Sequence, residues 1–239
     1  MRRFFWPVLI IVFAASLALV LWSGRAEKMS FRDAACSFED KLPGCLDTVD
    51  SWNGGLAFYD SALNASGDTL QSLKNLLWDY WNLEFAGVGK PAVMRESILP
   101  LHVLKNQKSG CIGLSWLAMM VAEARQIPLA VIMLPGHVFL RYGADSLTVN
   151  LEPNRRGYSY SDAEYREKYK DGPWTGLEFI PLTSTQFVGL AAFNMGNLYL
   201  DNDLHRALTW YRMAEAFFSE YPGIKANQEF AKSRLPDSL

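Results

Sequence analysis

The sequence predicts an α+β fold, in which a helical N-terminal part and a helical tail flank a small antiparallel sheet. Three observations predict it: apolar residues recur at helical spacing up to about Gln126, short β-like runs follow, and helical spacing returns from Gln186 onward. Strands grouped together and joined by short turns are typical of α+β proteins, whereas regular alternation of strands and helices would indicate α/β proteins.

The first 26 residues differ in composition from the rest of the chain. Residues 4–22 are apolar almost without interruption and would span about 28 Å as a helix, close to the roughly 30 Å of a bilayer core. We therefore expect a transmembrane signal anchor over residues 1–26. Arg2 and Arg3 orient the N-terminus to the cytoplasm, so the bulk of the chain would be periplasmic or extracellular. The alternative is a secreted protein whose signal peptide is cleaved near Ala26.

Composition excludes two classes of protein. Half of the residues are apolar, which excludes intrinsic disorder and allows a full hydrophobic core. The chain has 23 Lys+Arg against 25 Asp+Glu, a net charge of −2, and lacks the cationic excess of a general nucleic-acid-binding protein. We expect no nucleic-acid partner and no cofactor, and no ligand cluster in the sequence indicates a metal site.

Two of the three cysteines lie close together in the sequence. Cys36 and Cys45 are nine positions apart, and an oxidising compartment would allow a disulfide between them. The alternative is that both are buried as small apolar side chains. If they pair, Cys111 is the free thiol.

Three helical segments are predicted in the first half of the chain. The spacing of apolar residues predicts one from Asp68 to Phe85, capped by Asp68 or Ser66. A second begins at Pro91. The third runs from Ser109 to about Gln126 and is apolar over a wide arc, which is typical of a central buried helix.

Three β-like runs follow this helix. They are residues 129–134, 137–142 and 147–152. If residues 143–146 form a four-residue loop, His137 faces Glu152 and Phe139 faces Asn150 across the last two strands. The opposite face of this hairpin is then apolar, so we expect it to face the core while the polar face lies toward the third helix.

The start of the third helix carries a candidate nucleophile. Cys111 lies in its first turn, where unpaired backbone N–H groups and the helix dipole favour a thiolate and can bind an oxyanion. Gly110 and Gly113 would let a substrate backbone approach without a side-chain clash. A buried helical cysteine with no chemical role is the alternative.

A candidate base opens the second strand. His137 follows the tight turn Pro135–Gly136, and Gly136 joins the candidate substrate-binding glycines. Glu152, or Asn150 in its place, would fix the tautomer of an imidazole that acts on Cys111. A lone histidine is more often a satisfied surface or capping group, so the pairing with Cys111 carries this hypothesis.

The tail, residues 184–239, is similar to a tetratricopeptide repeat. The positions that match the small and large packing residues of that repeat are Gly196, Tyr199, Ala207, Tyr211 and Ala214. One helical hairpin cannot bury its own apolar face, so it must pack on the preceding domain, on a third helix from Ile224 to Leu235, or on a protein partner. An ordinary helical hairpin is the alternative.

Four segments together carry a second resemblance. They are Leu104–Lys105, Gly110–Ser115, Pro135–Arg141 and Asn150–Pro153. In this order they resemble the transglutaminase-like superfamily, which implies a papain-like core, here over residues 27–183. The resemblance also implies a Cys-His-Asp triad with the cysteine on a helix packed against an antiparallel sheet.

Carried over by position, the family's nucleophile is Cys111 and its base is His137. The usual Asp-Pro of the family appears here as Glu152-Pro153, one methylene longer, so Asn150 remains an alternative third residue.

The chemistry that this resemblance implies is thiol acyl transfer on protein or peptide amides. We expect hydrolysis, as in a protease or amidase, rather than cross-linking to an amine, because the site would lie in a wet compartment. The expected partners are a protein or peptide substrate, the membrane through residues 4–22, and a protein docked on the tail. The competing hypothesis is a catalytically silent, membrane-tethered binding or assembly module with the same fold.

Overall fold

The computed structural model describes residues 29–143 and 148–235. The predicted signal anchor of residues 1–26 and residues 144–146 of the predicted loop therefore lie outside the described residues. Across the two described ranges, no helix combines the length and the apolar character needed to cross a bilayer.

The N-terminal part is helical, as predicted. Its helices are α1 (Phe31–Phe38), α2 (Asp50–Ser66), α3 (Thr69–Lys74), α4 (Lys90–Val93), α5 (Arg95–Ile98) and α6 (Pro100–Asn106). A π-helical segment, Asn75–Tyr80, continues α3. Asp68 caps α3 by accepting a hydrogen bond from the backbone N–H of Gln71 at 2.9 Å, which confirms one of the two expected caps.

The helix predicted from Asp68 to Phe85 ends earlier than expected. Helical geometry stops at Tyr80, and Glu84–Phe85 form strand β1, which pairs in parallel with β2 (Lys108–Ser109). The reason is packing: the Trp81 ring lies against Gly55 of α2, and its indole N–H donates to the Ser51 carbonyl. This contact turns the chain away from the helix axis.

Helix α7 (Cys111–Arg125) is central and buried, as predicted. Every residue from Ile112 to Ala122 is buried. Glu123, near its far end, accepts hydrogen bonds from the backbone N–H groups of Phe31 and Arg32, both at 3.2 Å, and so holds the first turn of α1.

The sheet has four antiparallel strands in the order β5-β4-β3-β6. They are β3 (Leu129–Leu134), β4 (His137–Tyr142), β5 (Val149–Leu151) and β6 (Pro181–Leu182). One face, with Val138 and Leu140, belongs to the main core together with α7. The polar face was expected to lie toward the cysteine helix. Most of it is covered instead by α8 (Asp162–Lys168), and it meets the cysteine helix at His137, which reaches Cys111.

The register between β4 and β5 differs from the predicted one by two residues. Leu140 pairs with Leu151 and Arg141 with Asn150, so His137 does not face Glu152 directly. The connection between the strands has six residues, 143–148, rather than four. Because side chains alternate with a period of two, a shift of two leaves each side chain on its predicted face.

Three helices form the tail: α9 (Ser184–Tyr199), α10 (Leu204–Phe217) and α11 (Pro222–Ser233). The apolar face of the α9–α10 hairpin packs both on α11 and on the preceding domain, where Phe187 meets Phe31 and Trp116 at ring distances of 5.7 and 5.8 Å. The tail is thus a helical hairpin with a third helix. Its kinship to tetratricopeptide repeats remains a prediction.

Candidate active site

Cys111 is the first residue of α7 and is partly buried. Cys36 and Cys45 form a disulfide, so Cys111 is the free cysteine of the chain. The N-cap residue is Gly110, which has no side chain to bond the first turn. The N–H groups of that turn therefore remain available to an anionic group placed beside the thiol.

The two glycines beside Cys111 have a different role from the predicted one. A Cβ on Gly110 would overlap the carbonyl oxygen of Ala92, and a Cβ on Gly113 would overlap the Ser97 carbonyl and the Ser109 hydroxyl. Both glycines thus let the start of α7 pack closely on the segment that carries α4 and α5. The expectation that they make room for a substrate is corrected by these contacts.

Gly136 differs from the other two glycines. It lies in the two-residue turn between β3 and β4 with φ at 67°, a conformation that glycine adopts without strain. A Cβ at this position would meet no atom of residues 29–143 or 148–235 within 4 Å. The turn directs the chain so that His137 is the first residue of β4, and Gly136 itself lines the cavity described below.

His137 is 8% exposed and has a partner on two sides of its ring. Its Nε2 atom lies 2.8 Å from Oε2 of Glu152. The ring of Tyr169 stacks on the imidazole with a centroid distance of 5.4 Å and an angle of 5° between the planes. Since Nε2 is engaged with the carboxylate, Nδ1 is the ring nitrogen left to interact with Cys111.

Glu152 is 2% exposed, and both of its carboxylate oxygens are hydrogen-bonded. Oε2 accepts a hydrogen bond from the Tyr165 hydroxyl at 3.1 Å in addition to its contact with His137. Oε1 accepts a hydrogen bond from the backbone N–H of Asn154 at 3.0 Å. These bonds compensate for the burial of a carboxylate that would otherwise be costly.

Asn150, the alternative third residue, lies elsewhere. Its amide accepts a hydrogen bond from Arg141 at 2.8 Å and donates to the Tyr160 carbonyl and to Asp162. The reason is the register: Asn150 pairs with Arg141, four residues beyond His137 on the same strand. Of the two candidate third residues, Glu152 is therefore the one whose side chain contacts the imidazole.

The thiol and the imidazole shift each other's pKa. Burial alone would raise the pKa of Cys111, but the charge of His137, a hydrogen bond to it and the backbone N–H of Val138 outweigh burial and lower it. Burial likewise opposes protonation of His137, yet interactions with Cys111 and Glu152 raise its pKa to about 9. The pair therefore favours a thiolate beside an imidazolium.

The pKa values of Glu152, Tyr165 and Tyr169 are consistent with this ion pair. Burial would raise the pKa of Glu152, but its bonds to His137, Asn154 and Tyr165 lower it, so the group remains ionised. Burial and the negative charge of Glu152 raise the pKa of Tyr165 and of Tyr169. Both tyrosines therefore stay neutral, and Tyr165 acts as a hydrogen-bond donor.

The thiol and the imidazole open onto a cavity of about 440 Å³. Residues of the core form one side of it, including Ala92, Ile98 and Met133. Residues of α9 and the N-cap of α11 form the other side: Leu190, Phe193, Asn194, Asn197 and Tyr221. The arrangement places a thiol and an imidazole at the wall of a cleft, next to a helix N-terminus.

Two residues of this site were not found from the sequence. Tyr165 is fully buried and stacks on Phe139 with ring centroids 4.2 Å apart. Tyr169 stacks on His137. Their four-residue spacing was the available signal, because it places both rings on one face of a helix.

A sequence model of the transglutaminase-like superfamily matches residues 46–187, more than half of the chain. No curated protein matches the chain, and no solved structure does. The match includes Cys111, His137 and Glu152 and the elements that carry them, and it shows that the chain belongs to the transglutaminase-like superfamily.

Proposed function

We propose that this protein is a cysteine enzyme that transfers the acyl group of a protein or peptide amide through a thioester, with water as the usual acceptor. The observation that carries the proposal is the buried contact between His137 and Glu152 next to Cys111, at the wall of a cleft. Membership of the superfamily supports the same class of cysteine chemistry.

The first half-reaction forms a bond between Sγ of Cys111 and the amide carbonyl carbon. The thiolate donates the electron pair, and the carbonyl oxygen becomes an oxyanion that the free N–H groups at the start of α7 can bind. The C–N bond then breaks. The imidazolium of His137 gives its proton to the leaving nitrogen, which departs as an amine and leaves the thioester.

The second half-reaction regenerates the thiol. Neutral His137 removes a proton from water as the water oxygen attacks the thioester carbonyl, and the C–S bond breaks to release a carboxylic acid and the thiolate. A primary amine in place of water would give a new amide instead. Glu152 holds the imidazole through Nε2 in both steps and stabilises its charged form.

The proposal includes an extracytoplasmic location with the membrane contacted through residues 4–22. The apolar run and the two preceding arginines support this placement. The Cys36–Cys45 disulfide also supports it, because disulfides persist in oxidising compartments. Extraction of the full chain from membranes with carbonate tests it: an integral protein stays in the pellet, whereas a secreted one is released.

Selective alkylation tests the enzymatic proposal. Iodoacetamide at neutral pH should label Cys111 of the full chain rapidly, and His137→Gln should slow the reaction on the order of tenfold or more because the cationic neighbour is lost. His102→Gln is the matched control, since His102 lies on α6 and is not among the residues that line the cavity.

If the wild type and His137→Gln were labelled equally slowly, the proposal that this protein is an enzyme would be contradicted. That result would favour the silent membrane-tethered binding or assembly module. If labelling behaves as proposed, incubation with a peptide amide and a fluorescent primary amine separates the two acyl acceptors. Hydrolysis gives a free carboxylic acid, whereas cross-linking incorporates the amine.

A further inference from the structure

The cavity beside Cys111 has a second wall that the family match does not reach. The match ends at residue 187, whereas Leu190, Phe193, Asn194 and Asn197 line the cavity from α9. Tyr221 adds to the same wall from the start of α11. The tail thus contributes directly to the space in which a substrate of Cys111 would lie.

Among the described residues, the lining of this cavity consists of apolar and aromatic side chains, glycines, three asparagines and the Cys111–His137 pair. Away from that pair, a charged substrate group would lose water without meeting an opposite charge, which is costly. The cavity therefore favours an uncharged occupant with apolar groups.

Asn194 lines the cavity and has a hydrogen-bond acceptor to spare. Its Nδ2 donates to the carbonyl oxygen of Leu190 at 2.8 Å. Because a carbonyl can only accept, this bond fixes which end of the amide is nitrogen. Among the described residues, Oδ1 of Asn194 has no hydrogen-bond donor and is free to accept one from a ligand.

Asn197, three residues further along the same helix, presents the opposite group. Its Oδ1 accepts hydrogen bonds from the Tyr211 hydroxyl at 2.8 Å and from Nδ2 of Asn227 at 2.7 Å. Its oxygen is thus occupied twice, whereas its Nδ2 has no hydrogen-bond acceptor in the part of the chain that the structure describes. Residues three apart lie on one face of a helix, so this donor and the acceptor of Asn194 are neighbours.

We propose that the cleft binds an uncharged stretch of polypeptide, one backbone amide of which is held by the Asn194–Asn197 pair while another amide of the same stretch lies next to Cys111. The C-terminal helices then act in substrate recognition. A peptide group offers one donor and one acceptor, the complement of what the two tail asparagines present. The inference rests on the proposed function, because it concerns what Cys111 acts on.

The test compares two thiol reagents on the full chain. Iodoacetamide reports the reactivity of Cys111 alone, whereas acetyl-Ala-Ala-Leu chloromethyl ketone must also occupy the cleft. Asn197→Asp keeps an acceptor for Tyr211 and Asn227 but replaces the free donor. We expect Asn197→Asp and Asn194→Ala each to lower the rate constant for the peptide reagent about tenfold, because each removes one hydrogen bond to the peptide. Iodoacetamide labelling should change less than about threefold.

Two controls complete the design. Asn202→Ala changes an exposed asparagine between α9 and α10 that does not line the cavity, and it should leave both rates unchanged. Replacing Leu of the reagent by Glu or by Lys should slow the wild type about tenfold or more, because either charge would be buried without a partner.

The outcomes separate the two proposals. Suppose that iodoacetamide labels Cys111 selectively, but the rate constant for the peptide reagent is the same in both asparagine variants as in the wild type, or the same for the charged and uncharged reagents. Recognition by the tail is then overturned, and the proposed enzyme stands. If neither reagent labels Cys111 selectively, the proposed function fails and this inference fails with it.

Discussion

Two polar clusters tie strand β4 to α8, and they differ in what surrounds them. The inner cluster is His137, Glu152 and Tyr165, and the outer cluster is Arg141, Asn150 and Asp162. In each, a basic side chain of β4 is bonded to a residue at or just beyond β5 and is linked through it to α8. The basic residues of the two clusters, His137 and Arg141, are four positions apart on β4 and lie on the same face of the sheet.

The two clusters differ in how deeply they are buried. The side chain of Glu152 is 2% exposed, whereas that of Asp162 is 46% exposed. Water screens the outer ion pair, and such pairs contribute little to stability. The inner cluster is shielded and lies beside a thiol, so the same kind of contact shifts pKa values there. Burial beside the thiol, rather than the type of contact, therefore accounts for the shifted pKa values of His137 and Glu152 in the inner cluster.

The largest expected effect is on acyl transfer. Glu152→Gln should lower kcat for hydrolysis of a peptide amide on the order of 1,000-fold, because the imidazole loses the carboxylate that holds its tautomer and stabilises its charge. Asp162→Asn, the matched change in the outer cluster, should lower it less than about threefold. If the two variants lost similar amounts of kcat, the inner and outer clusters would not differ in their contribution to catalysis.

The next effect is on stability. Tyr165→Phe removes a hydrogen bond to a buried carboxylate and should lower the free energy of unfolding by about 2 kcal/mol, measured by urea denaturation. Tyr160→Phe is the control, because no hydrogen bond of its hydroxyl occurs among the described residues, and we expect about 0.5 kcal/mol or less. Equal losses in the two variants would mean that the hydrogen bond from Tyr165 to Glu152 contributes no more to stability than a tyrosine hydroxyl without such a bond.

The smallest effect is on titration. The imidazole of His137, followed by NMR, should titrate near pH 9, and Cys111→Ala should lower its pKa because the thiolate is a main cause of the raised value. Asp162→Asn should leave it unchanged. A raised folded-state pKa adds stability that is complete below the unfolded value of about 6.5 and is lost as the pH rises through about 9. Titration of His137 at its ordinary value would contradict the coupled pair.

The elements that carry Cys111 and His137 were predictable because each has strong local signals. A wide apolar arc marks α7, and Pro135–Gly136 marks the turn before β4. The β4–β5 register was not predictable, because hydrophobic alternation fixes only the face, and a shift of two residues preserves it. Glu152 reaches the imidazole despite this error because its side chain stays on the predicted face.

Other features depend on contacts between distant segments, which local patterns do not encode. The roles of Gly110 and Gly113 follow from the backbone of residues 92–97 lying against α7. Helix α2 was not singled out, because its buried residues are few: Trp52, Gly55 and Tyr59. The contribution of Asn194 to the cleft requires knowing where the tail docks on the core.

The two-residue turn at Pro135–Gly136 limits how the length of this chain can vary. One residue inserted there would invert the alternation of β4 and send the imidazole of His137 toward the main core, away from Glu152. The connection after Tyr142 lies at the opposite end of the strand and is free of this constraint. Relatives of this protein should therefore differ in length between β4 and β5 while keeping the β3–β4 hairpin at constant length.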